Sequence, residues 1–331
     1  MKKTMITGVR PTGRLTLANY IGGMRKFVEQ QNDYNSFIFI ADIHGVTTYI
    51  EPQELQNNIL DITALFLSCG INPNDTSLFI QSDILEHCNL SFLLSFHCGV
   101  GELSRMTQYK AKKANLSKNE KDMGLFIYPT LMAADILLYD ASIVPVGADQ
   151  RQHIEITRDL GERFNKVYGN TFTLPEYQIP RIGAKIMNLQ NPTEKMNKSA
   201  PKDDKGTIFI LDDLELTRKK IMSACTDSEN KVSFDEDNKK GISNLISIVA
   251  AIQNRKIDEI VKEYQNYSYK DFKYAVSDIV VEFIEKVQTK FYKIRNDEEY
   301  LKEVLLNGSN IARKRASIKL SEVRKKIGLK I

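Results

Sequence analysis

The sequence contains no tryptophan among its 331 residues, no internal repeat and no long low-complexity tract. It also lacks any apolar run near the roughly 18 residues that a membrane-spanning helix requires. The chain reads as a strand almost from its start, over Thr4–Val9, so we expect no signal peptide. These absences predict a globular protein that is located in the cytoplasm and does not associate with a membrane.

Cysteine is scarce, and the four cysteines are predicted to be free thiols in a reducing compartment. His87-Cys88 and His97-Cys98 are residue types that ligate zinc, but no CxxC-like knuckle accompanies them. The segment between the two pairs is strongly apolar and predicted to be helical. The sequence therefore favours core-facing cysteines over a metal site. The four positions are Cys69, Cys88, Cys98 and Cys225.

The charge balance is only mildly basic. The formal net charge is +4 and the sequence pI is about 8.6, which does not by itself indicate a nucleic-acid partner. The last 22 residues are different, because they hold one acid, Glu322, against eight basic residues. Such a helix is either an RNA-facing surface or an ordinary solvated face. The basic residues are Arg313, Lys314, Arg315, Lys319, Arg324, Lys325, Lys326 and Lys330.

Strand and helix signals alternate through the first half of the chain. Pro52 opens an amphipathic helix that Gly70 is placed to end. This βαβ rhythm predicts an α/β fold with a parallel sheet and helices on both faces. Ligands bind such sheets at the carboxyl ends of the strands. The predicted strands after the first are Ser36–Ala41, Ser77–Gln81 and Ile143–Val146, and the residues that follow strands are Asp42, His44, Gln81 and Gly147.

The pattern changes near residue 200. Residues 201–206 form a polar breaker, and from Leu214 onward the sequence reads as helices with polar faces. We therefore predict a domain boundary near residue 200. The last helix, about 305–331, is expected to pack back on the first domain.

The 11–19 turn, Pro11–Asn19, joins the first strand to a helix. A helix N-terminus offers unpaired N–H groups to an anion, and Thr12, Thr16 and Asn19 add polar groups. Gly22 and Gly23 have no side chains, which leaves space where a flat nucleobase could pack. Taken alone, this segment is also compatible with an ordinary βα connection.

The lysine loop, Lys195–Ser199, lies about 180 residues further along. Its two lysines, three residues apart, can reach one anion and stabilise a departing pyrophosphate. A lone pair of this kind is usually solvated surface. Together with the 11–19 turn, it indicates ATP-dependent activation of a carboxylic acid.

Two further segments carry polar groups in apolar surroundings. Asp135 lies inside an apolar helix, where a carboxylate needs a partner. Either a buried arginine or a hydrogen-bond donor on a ligand satisfies that need. After the strand at 143–146, Asp149 and Gln150 are placed to hold a ribose hydroxyl and a ligand's amino or carboxylate group, whereas His153 is expected to pack or cap.

In this order and spacing, the segments resemble the bacterial tryptophanyl-tRNA synthetases, which are class I aminoacyl-tRNA synthetases. The resemblance covers essentially the whole chain and includes residues 101–108, 155–160, 226–229 and 241–245. It implies a Rossmann-like catalytic domain over 1–200 and an all-helical anticodon-binding domain over 201–304. The related tyrosyl enzymes are the nearest alternative, but residues 132–137 and 147–155 are similar to the tryptophanyl branch.

The resemblance also implies roles for individual residues. Thr16–Asn19 corresponds to the HIGH motif and the lysine loop to KMSKS, and Lys195, Lys198, Thr16, Asn19 and Lys112 are the implied catalytic residues. The implied partners are tryptophan, its tRNA and a second copy of the chain, with ATP and Mg²⁺ and no protein-ligated metal. The implied ATP-binding residues are Arg10, Thr12, Thr16, Ala18, Asn19, Gly22, Gly147, Asp149, Ile182, Lys195, Met196, Asn197, Lys198 and Ser199. The implied tryptophan-binding residues are Asp135, as acceptor of the indole N–H, with Met132, Tyr128, His44, Gln150, Ile6, Val144 and Val146.

The chain departs from the family pattern at four positions. Thr16 replaces the usual histidine, Ala18 a glycine, Asn197 a serine, and Ile6 a frequent phenylalanine. The methyl group of Ala18 is expected to cost about 1 kcal/mol of nucleotide binding if nothing compensates. Two alternatives stay open on the sequence: a tyrosine-specific enzyme, and a catalytically silent tRNA-binding paralogue suggested by Ala18 and Asn197.

Overall fold

The computed structural model describes residues 2–12, 14–47, 49–113, 123–147, 150–178, 186–198, 200–201 and 203–329. The predicted α/β class is confirmed, because these residues contain a parallel five-stranded sheet. Its strand order is β3-β2-β1-β4-β5. The strands are β1 (Thr4–Val9), β2 (Asn35–Ile40), β3 (Thr76–Ile80), β4 (Ile143–Pro145) and β5 (Glu176–Gln178).

The predicted bounds of β1 are confirmed, those of β2, β3 and β4 differ by one residue at one or both ends, and β5 was not predicted. Helices fill the connections between strands. They are α1 (Leu17–Asn19), a π-helical turn (Tyr20–Met24), α2 (Arg25–Gln30), α3 (Asp42–Gly45), α4 (Pro52–Ser68), a 3₁₀ turn (Gln81–Asp83), α5 (Glu86–Ser95), α6 (Val100–Ser104), α7 (Thr107–Lys113), α8 (Met123–Leu137) and α9 (Arg151–Tyr168).

Helix α4 follows its sequence signals closely. Pro52 is at the start of the helix, where its missing N–H costs no hydrogen bond. Gly70 adopts φ +109° just beyond the end, a conformation that few side chains tolerate. The predicted bounds of this helix are confirmed.

The second half is helical, as predicted. Five helices follow residue 213: α10 (Leu214–Met222), α11 (Lys240–Gln253), α12 (Ile257–Tyr264), α13 (Tyr269–Arg295) and α14 (Glu298–Lys326). Helix α13 packs against α10 and α11, and it also packs against α4 of the first half. The core on that side of the sheet is therefore continuous across residue 200.

Two apolar clusters lie on opposite faces of the sheet. Met5, Ile38 and Leu78 point into one, together with α2, α4 and the later helices. The alternate strand residues, such as Ile6, Phe37 and Phe79, point into the other with α5, α8 and α9. Burial on both faces explains why these strands are nearly continuous apolar runs.

Helix α14 covers β3, which is one of the two edge strands of the described sheet. Leu301 and Val304, near its start, belong to the first apolar cluster. Ala316 and Val323, near its end, belong to the second. The helix therefore passes from one face of the sheet to the other, and a Cβ atom added to Gly308 would lie only 1.9 Å from the backbone oxygen of Leu78.

Several basic residues of α14 bind the first half of the chain. Arg315 and Lys319 pair with Asp140 at 3.0 and 2.9 Å. Arg313 donates to the backbone oxygen of Asp83 at 2.9 Å. This part of the basic segment is therefore an internal anchor, while Lys314, Arg324 and Lys325 are exposed.

All four cysteines are free thiols, but the prediction that they face the core is only partly right. Cys69 is buried, whereas Cys88 is exposed and Cys98 is partly exposed. The flanking helix α5 is apolar on several sides, so its pattern did not show which face points inward. No helix in the described part of the chain is long and apolar enough to cross a bilayer.

Candidate functional site

A cavity of about 350 Å³ opens at the carboxyl ends of β1 and β4. We call it the strand-end cavity. It contains all eight residues that were predicted to hold an amino-acid ligand, which are Ile6, His44, Tyr128, Met132, Asp135, Val144, Val146 and Gln150. Thirteen further residues line it: Thr7, Gly8, Val9, Arg10, Phe39, Ala41, Gln108, Leu131, Ile136, Pro145, Gly147, His153 and Lys198. Its volume is in the range that small-molecule sites occupy.

Asp135 is the acidic residue of the strand-end cavity, and it is only 4% exposed. Its partners are an amide and an imidazole rather than a buried arginine. Gln81 Nε2 donates to both carboxylate oxygens at 2.8 Å. His87 Nδ1 lies 2.5 Å from Oδ1, and His87 Nε2 lies 2.8 Å from the hydroxyl of Tyr139. These contacts fix the orientation of the carboxylate at the cavity wall.

Gln81 also ties Asp135 to the next strand end. Its Oε1 accepts a hydrogen bond from the backbone N–H of His44 at 3.3 Å. Gln81, His87 and Tyr139 are all fully buried. Burial together with the negative charge of Asp135 raises the pKa of Tyr139, so its hydroxyl keeps its proton. The polar network is therefore held rigidly inside an apolar layer.

Tyr128 forms a second polar position in the cavity. Its hydroxyl lies 2.5 Å from His153 Nε2, and its ring packs on His44 with centroids 4.8 Å apart. Burial raises the pKa of Tyr128 to about 12, so it acts as a neutral hydroxyl. His153 thus contacts the cavity, in addition to packing in the core.

The 11–19 turn is built differently from the sequence prediction. Thr16 is fully buried, and its hydroxyl donates to Asn19 Oδ1 at 3.0 Å while accepting the Asn19 N–H at 3.1 Å. The N–H of Leu17 donates to the oxygen of Ile208 at 2.9 Å. The prediction of unpaired helix-end N–H groups is therefore wrong for Leu17 and Asn19, because a later segment and a capping box satisfy them.

The same region leaves room beside the helix. A Cβ atom added at Gly22 or Gly23 would meet nothing within 4 Å. Asn19 is exposed, and Ala18 packs partly against the core. The open face beside the two glycines is consistent with the predicted place for a flat base.

The lysine loop lies against the 11–19 turn. Lys198 Nζ donates to the backbone oxygen of Thr12 at 3.3 Å, and the N–H of Arg14 donates to the oxygen of Lys198 at 3.4 Å. Lys198 also lines the strand-end cavity. Lys195 is exposed, while Met196 between the two lysines is buried. The two segments that the sequence linked are therefore neighbours in space.

A second cavity, of about 380 Å³, adjoins the first through Arg10. It is more polar and includes Thr12, Tyr49 and Glu51. Arg10 lines both cavities. Thr12 and Arg10, which were predicted to bind a nucleotide, therefore lie together.

Some predicted site residues lie outside the described part of the chain. These are Asp149, Ile182 and Ser199. Lys112 belongs to α7, although its side chain is outside the description. Gly147 lines the strand-end cavity, whereas Asn197 is exposed near the Thr12 turn.

The structure adds site residues that the sequence did not identify. His87 and Tyr139 support Asp135, and Gln108 lines the strand-end cavity. His87 is 48 positions from Asp135, and no spacing rule connects them. The one available signal was the position of Gln81 directly after a strand. Within the described ranges, no group of three or more His, Cys, Asp or Glu side chains could hold a metal ion.

Three comparisons with known proteins show what the chain is similar to. The sequence model for the family described as tRNA synthetases class I (W and Y) matches residues 2–285. The tryptophan–tRNA ligase of Bacillus subtilis (strain 168) is 43% identical over 330 residues, which is 99% of this chain and 98% of that protein.

Two solved structures are also similar. The tryptophanyl-tRNA synthetase of Mycoplasma pneumoniae has a TM-score of 0.90 at 36% identity, covering 99% of this chain and 98% of that one. The Campylobacter jejuni tryptophanyl-tRNA synthetase, solved with ADP and tryptophan, has a TM-score of 0.84 at 34% identity. It covers 98% of this chain and 100% of that one.

Proposed function

The chain belongs to the class I tRNA synthetases for tryptophan and tyrosine, and we propose that it activates tryptophan with ATP and transfers it to a tRNA. The observation that carries the choice of tryptophan is Asp135. This buried carboxylate is oriented by Gln81 and His87 at the wall of an apolar cavity. An indole N–H can donate to this acceptor, and the apolar walls around it suit the indole ring.

The cavity also explains how phenylalanine is rejected. Phenylalanine has no donor for Asp135, so its binding would leave a desolvated carboxylate short of one hydrogen bond. Ile6, Met132 and Val144 supply apolar walls for a large ring. Tyr128 and Gln150 are polar groups on the same cavity, and we assign them to the ammonium and carboxylate of the amino acid.

We assign the nucleotide to the region where the 11–19 turn, Gly22 and the lysine loop meet. Arg10 and Lys198 bring positive charge to this region, and both also reach the strand-end cavity. Two cations beside both regions support an approach of the amino acid's carboxylate to the α-phosphate at this point. Thr16 acts through Asn19, because its own hydroxyl is buried and already bonded.

In the proposed reaction, the carboxylate attacks the α-phosphate and pyrophosphate leaves. Lys195 and Lys198, with Lys112, stabilise the negative charge that develops on the departing oxygens. Mg²⁺ would supply further charge neutralisation. It fits best on phosphate oxygens and water rather than in a protein cage, since the described residues offer no cluster of ligands. A hydroxyl of the terminal ribose of the tRNA then attacks the carbonyl carbon of the adenylate, which forms the tryptophanyl ester and releases AMP.

We further propose that the enzyme works as a homodimer. Helices α5 and α8 pack together, and large apolar side chains are exposed beside them, including Phe92 on α5 at 66% and Phe96, directly after α5, at 69%. Val100 and Met123 are similarly exposed. A cluster of this kind marks an interaction surface. Because α8 also carries Tyr128 and Asp135, a partner on this surface would stabilise the cavity wall.

We keep the helical region over 201–304 as the anticodon-reading domain. This assignment is tested with tRNA transcripts that are altered only in the anticodon. The KM for tRNA should rise, while the KM for tryptophan stays constant.

The activity is tested by amino-acid-dependent ATP–pyrophosphate exchange with tryptophan, tyrosine and phenylalanine at matched concentrations. Exchange with tryptophan alone supports the proposal. Exchange with tyrosine would preserve the reaction and overturn the role of Asp135. Folded protein that binds tRNA but shows no exchange would instead identify the silent paralogue.

A further inference from the structure

We propose that Arg14 is a positioning residue that holds the lysine loop against the 11–19 turn, in the arrangement that pyrophosphate release requires. The inference rests on the proposed function. Nothing in the sequence singled out Arg14, which lies beside residues predicted to bind the nucleotide. Its contacts point toward the loop rather than toward a phosphate.

Arg14 contacts the loop at two places. Its backbone N–H donates to the oxygen of Lys198 at 3.4 Å. Its Nη2 donates to the oxygen of Ala200, directly after the loop, at 3.2 Å. The N–H of Ala200 in turn donates to the oxygen of Asn197 at 3.0 Å. Arg14 therefore fixes the end of the loop that carries Lys198.

The other face of the Arg14 guanidinium packs against side chains that are themselves held rigidly. Its carbon lies 3.5 Å from the ring centroid of Phe209, a fully buried residue. Arginine stacks on an aromatic face in this way because its planar cation is weakly hydrated. Nη1 is also 3.7 Å from Asp212 Oδ1.

Asp212 is itself held in place. It is 5% exposed, and its Oδ2 accepts from Lys220 Nζ at 2.7 Å and from the N–H of Phe209 at 2.9 Å. Lys220 is 1% exposed and also donates to the oxygen of Thr207 at 2.7 Å. Arg14 is therefore in contact with a buried, hydrogen-bonded ion pair, Asp212 and Lys220, which resists displacement.

The segment that holds Phe209 and Asp212 is also joined to the 11–19 turn. The N–H of Leu17 donates to Ile208 and the N–H of Ile210 donates to Leu15, both at 2.9 Å. Segment 207–212 and the turn therefore form one unit. Arg14 connects this unit to the lysine loop, and Lys198 Nζ reaches back to Thr12 at 3.3 Å.

The side chain of Arg14 is 34% exposed, so its replacement should leave the core intact. We expect Arg14→Ala to lower kcat for pyrophosphate exchange by about 10- to 100-fold, because a small misplacement of charged groups is costly in the transition state. The KM for tryptophan should stay within about twofold, since Asp135 and its partners are untouched. The kcat of Arg14→Lys should lie between that of the parent protein and that of Arg14→Ala, because lysine keeps the positive charge and loses the planar stack.

Arg218→Ala is the matched control. That arginine has a similar side-chain exposure of 32%, and it pairs with Asp278 on the helical domain, away from the loop. Added guanidinium should restore part of the exchange activity to Arg14→Ala and none to the control. In the absence of substrates, trypsin should cleave Arg14→Ala after Lys195 or Lys198 faster than it cleaves the parent protein.

The outcomes separate the two proposals. A parent protein that does not exchange pyrophosphate with tryptophan refutes the proposed function. A parent that exchanges, together with an Arg14→Ala variant equal to it in kcat and loop cleavage, refutes only the role of Arg14. An Arg14→Ala variant that loses tryptophan affinity as strongly as kcat would also refute it, because the effect would then be general.

Discussion

His87 Nδ1 lies 2.5 Å from Asp135 Oδ1, and both residues are buried beneath the strand-end cavity. The imidazole is held from its other side by the hydroxyl of Tyr139. The orientation of the Asp135 carboxylate is thus set by residues that do not line the cavity. This arrangement makes the selectivity of the site depend on groups behind its wall.

His87→Ala should raise the KM for tryptophan by about tenfold to a hundredfold, since a hydrogen bond to a charged group is worth roughly 1.5–3 kcal/mol. The KM for ATP should change little. His97→Ala is the control, because that ring packs on Phe164 and Tyr168 outside the cavity. Equal effects on the two substrates would contradict the assigned role of His87.

Lys195→Ala should lower the rate of adenylate formation by about a hundredfold, because the lysine acts on charge that appears only in the transition state. Tryptophan affinity should be nearly unchanged. Single-turnover formation of adenylate and equilibrium binding of tryptophan measure the two quantities. Lys205→Ala, an exposed lysine beyond the loop, is the control. A drop in affinity without a drop in rate would remove Lys195 from catalysis.

Replacing Phe92 and Phe96 together by aspartate should convert a dimer to a monomer of 37.8 kDa, measured by sedimentation or light scattering. Charge on an apolar interface leaves desolvated carboxylates without partners. Tyr292→Asp, at 54% exposure on α13, is the control. A parent protein that is already monomeric at high concentration would refute the dimer.

Glu102 gives a prediction about acid stability. The hydrogen bonds from Arg163 hold its pKa at about 2, well below the ordinary 4.5. A depressed carboxyl pKa stabilises the fold above the ordinary value, and this contribution is lost as the pH falls through about 2. Since the pair is largely screened by solvent, Glu102→Gln should cost only about 0.5–1 kcal/mol at pH 7.

The difference in unfolding free energy between Glu102→Gln and the parent should shrink steadily below pH 4.5 and vanish near pH 2. Denaturant titrations at several pH values measure it. Glu162→Gln, an exposed glutamate on the helix of Arg163, should show no such trend. A difference that is constant with pH would exclude this pair as its cause.

Gly308→Ala should destabilise the fold by about 1–3 kcal/mol or more, because the added methyl would overlap the backbone of Leu78. Asn307→Ala, the exposed neighbour on α14, should be close to neutral. Thermal unfolding of both variants provides the comparison. A stable Gly308→Ala variant would show that α14 can move away from β3 at little cost.

The sequence predicted the sheet because buried parallel strands are apolar on both faces, and β2 and β3 are uninterrupted apolar runs after their first two residues. Because parallel strands end at one edge, it also predicted His44 and Gly147 as site residues, and both line the strand-end cavity. The other amino-acid-binding residues were implied by the family resemblance. Short β5 was missed, since three residues carry no periodic signal.

The contacts behind the site were not predictable in the same way. His87 was considered as a metal ligand, and only the packing of α5 on α8 shows it facing Asp135. The N–H groups of the 11–19 turn were expected to be open, yet Leu17 is satisfied by Ile208 far along the chain. Such pairings depend on the tertiary arrangement, which local propensity does not encode.

The passage of α14 across β3 has a consequence for biosynthesis. Ser309 meets Asp83 over a separation of 226 positions. While the ribosome is still making the chain, β3 therefore exposes an uncovered strand edge, which is prone to pairing with other nascent chains. Closure of that edge must wait for almost the whole polypeptide, so shortened products from premature termination should be poorly soluble even when they retain every residue of the cavity.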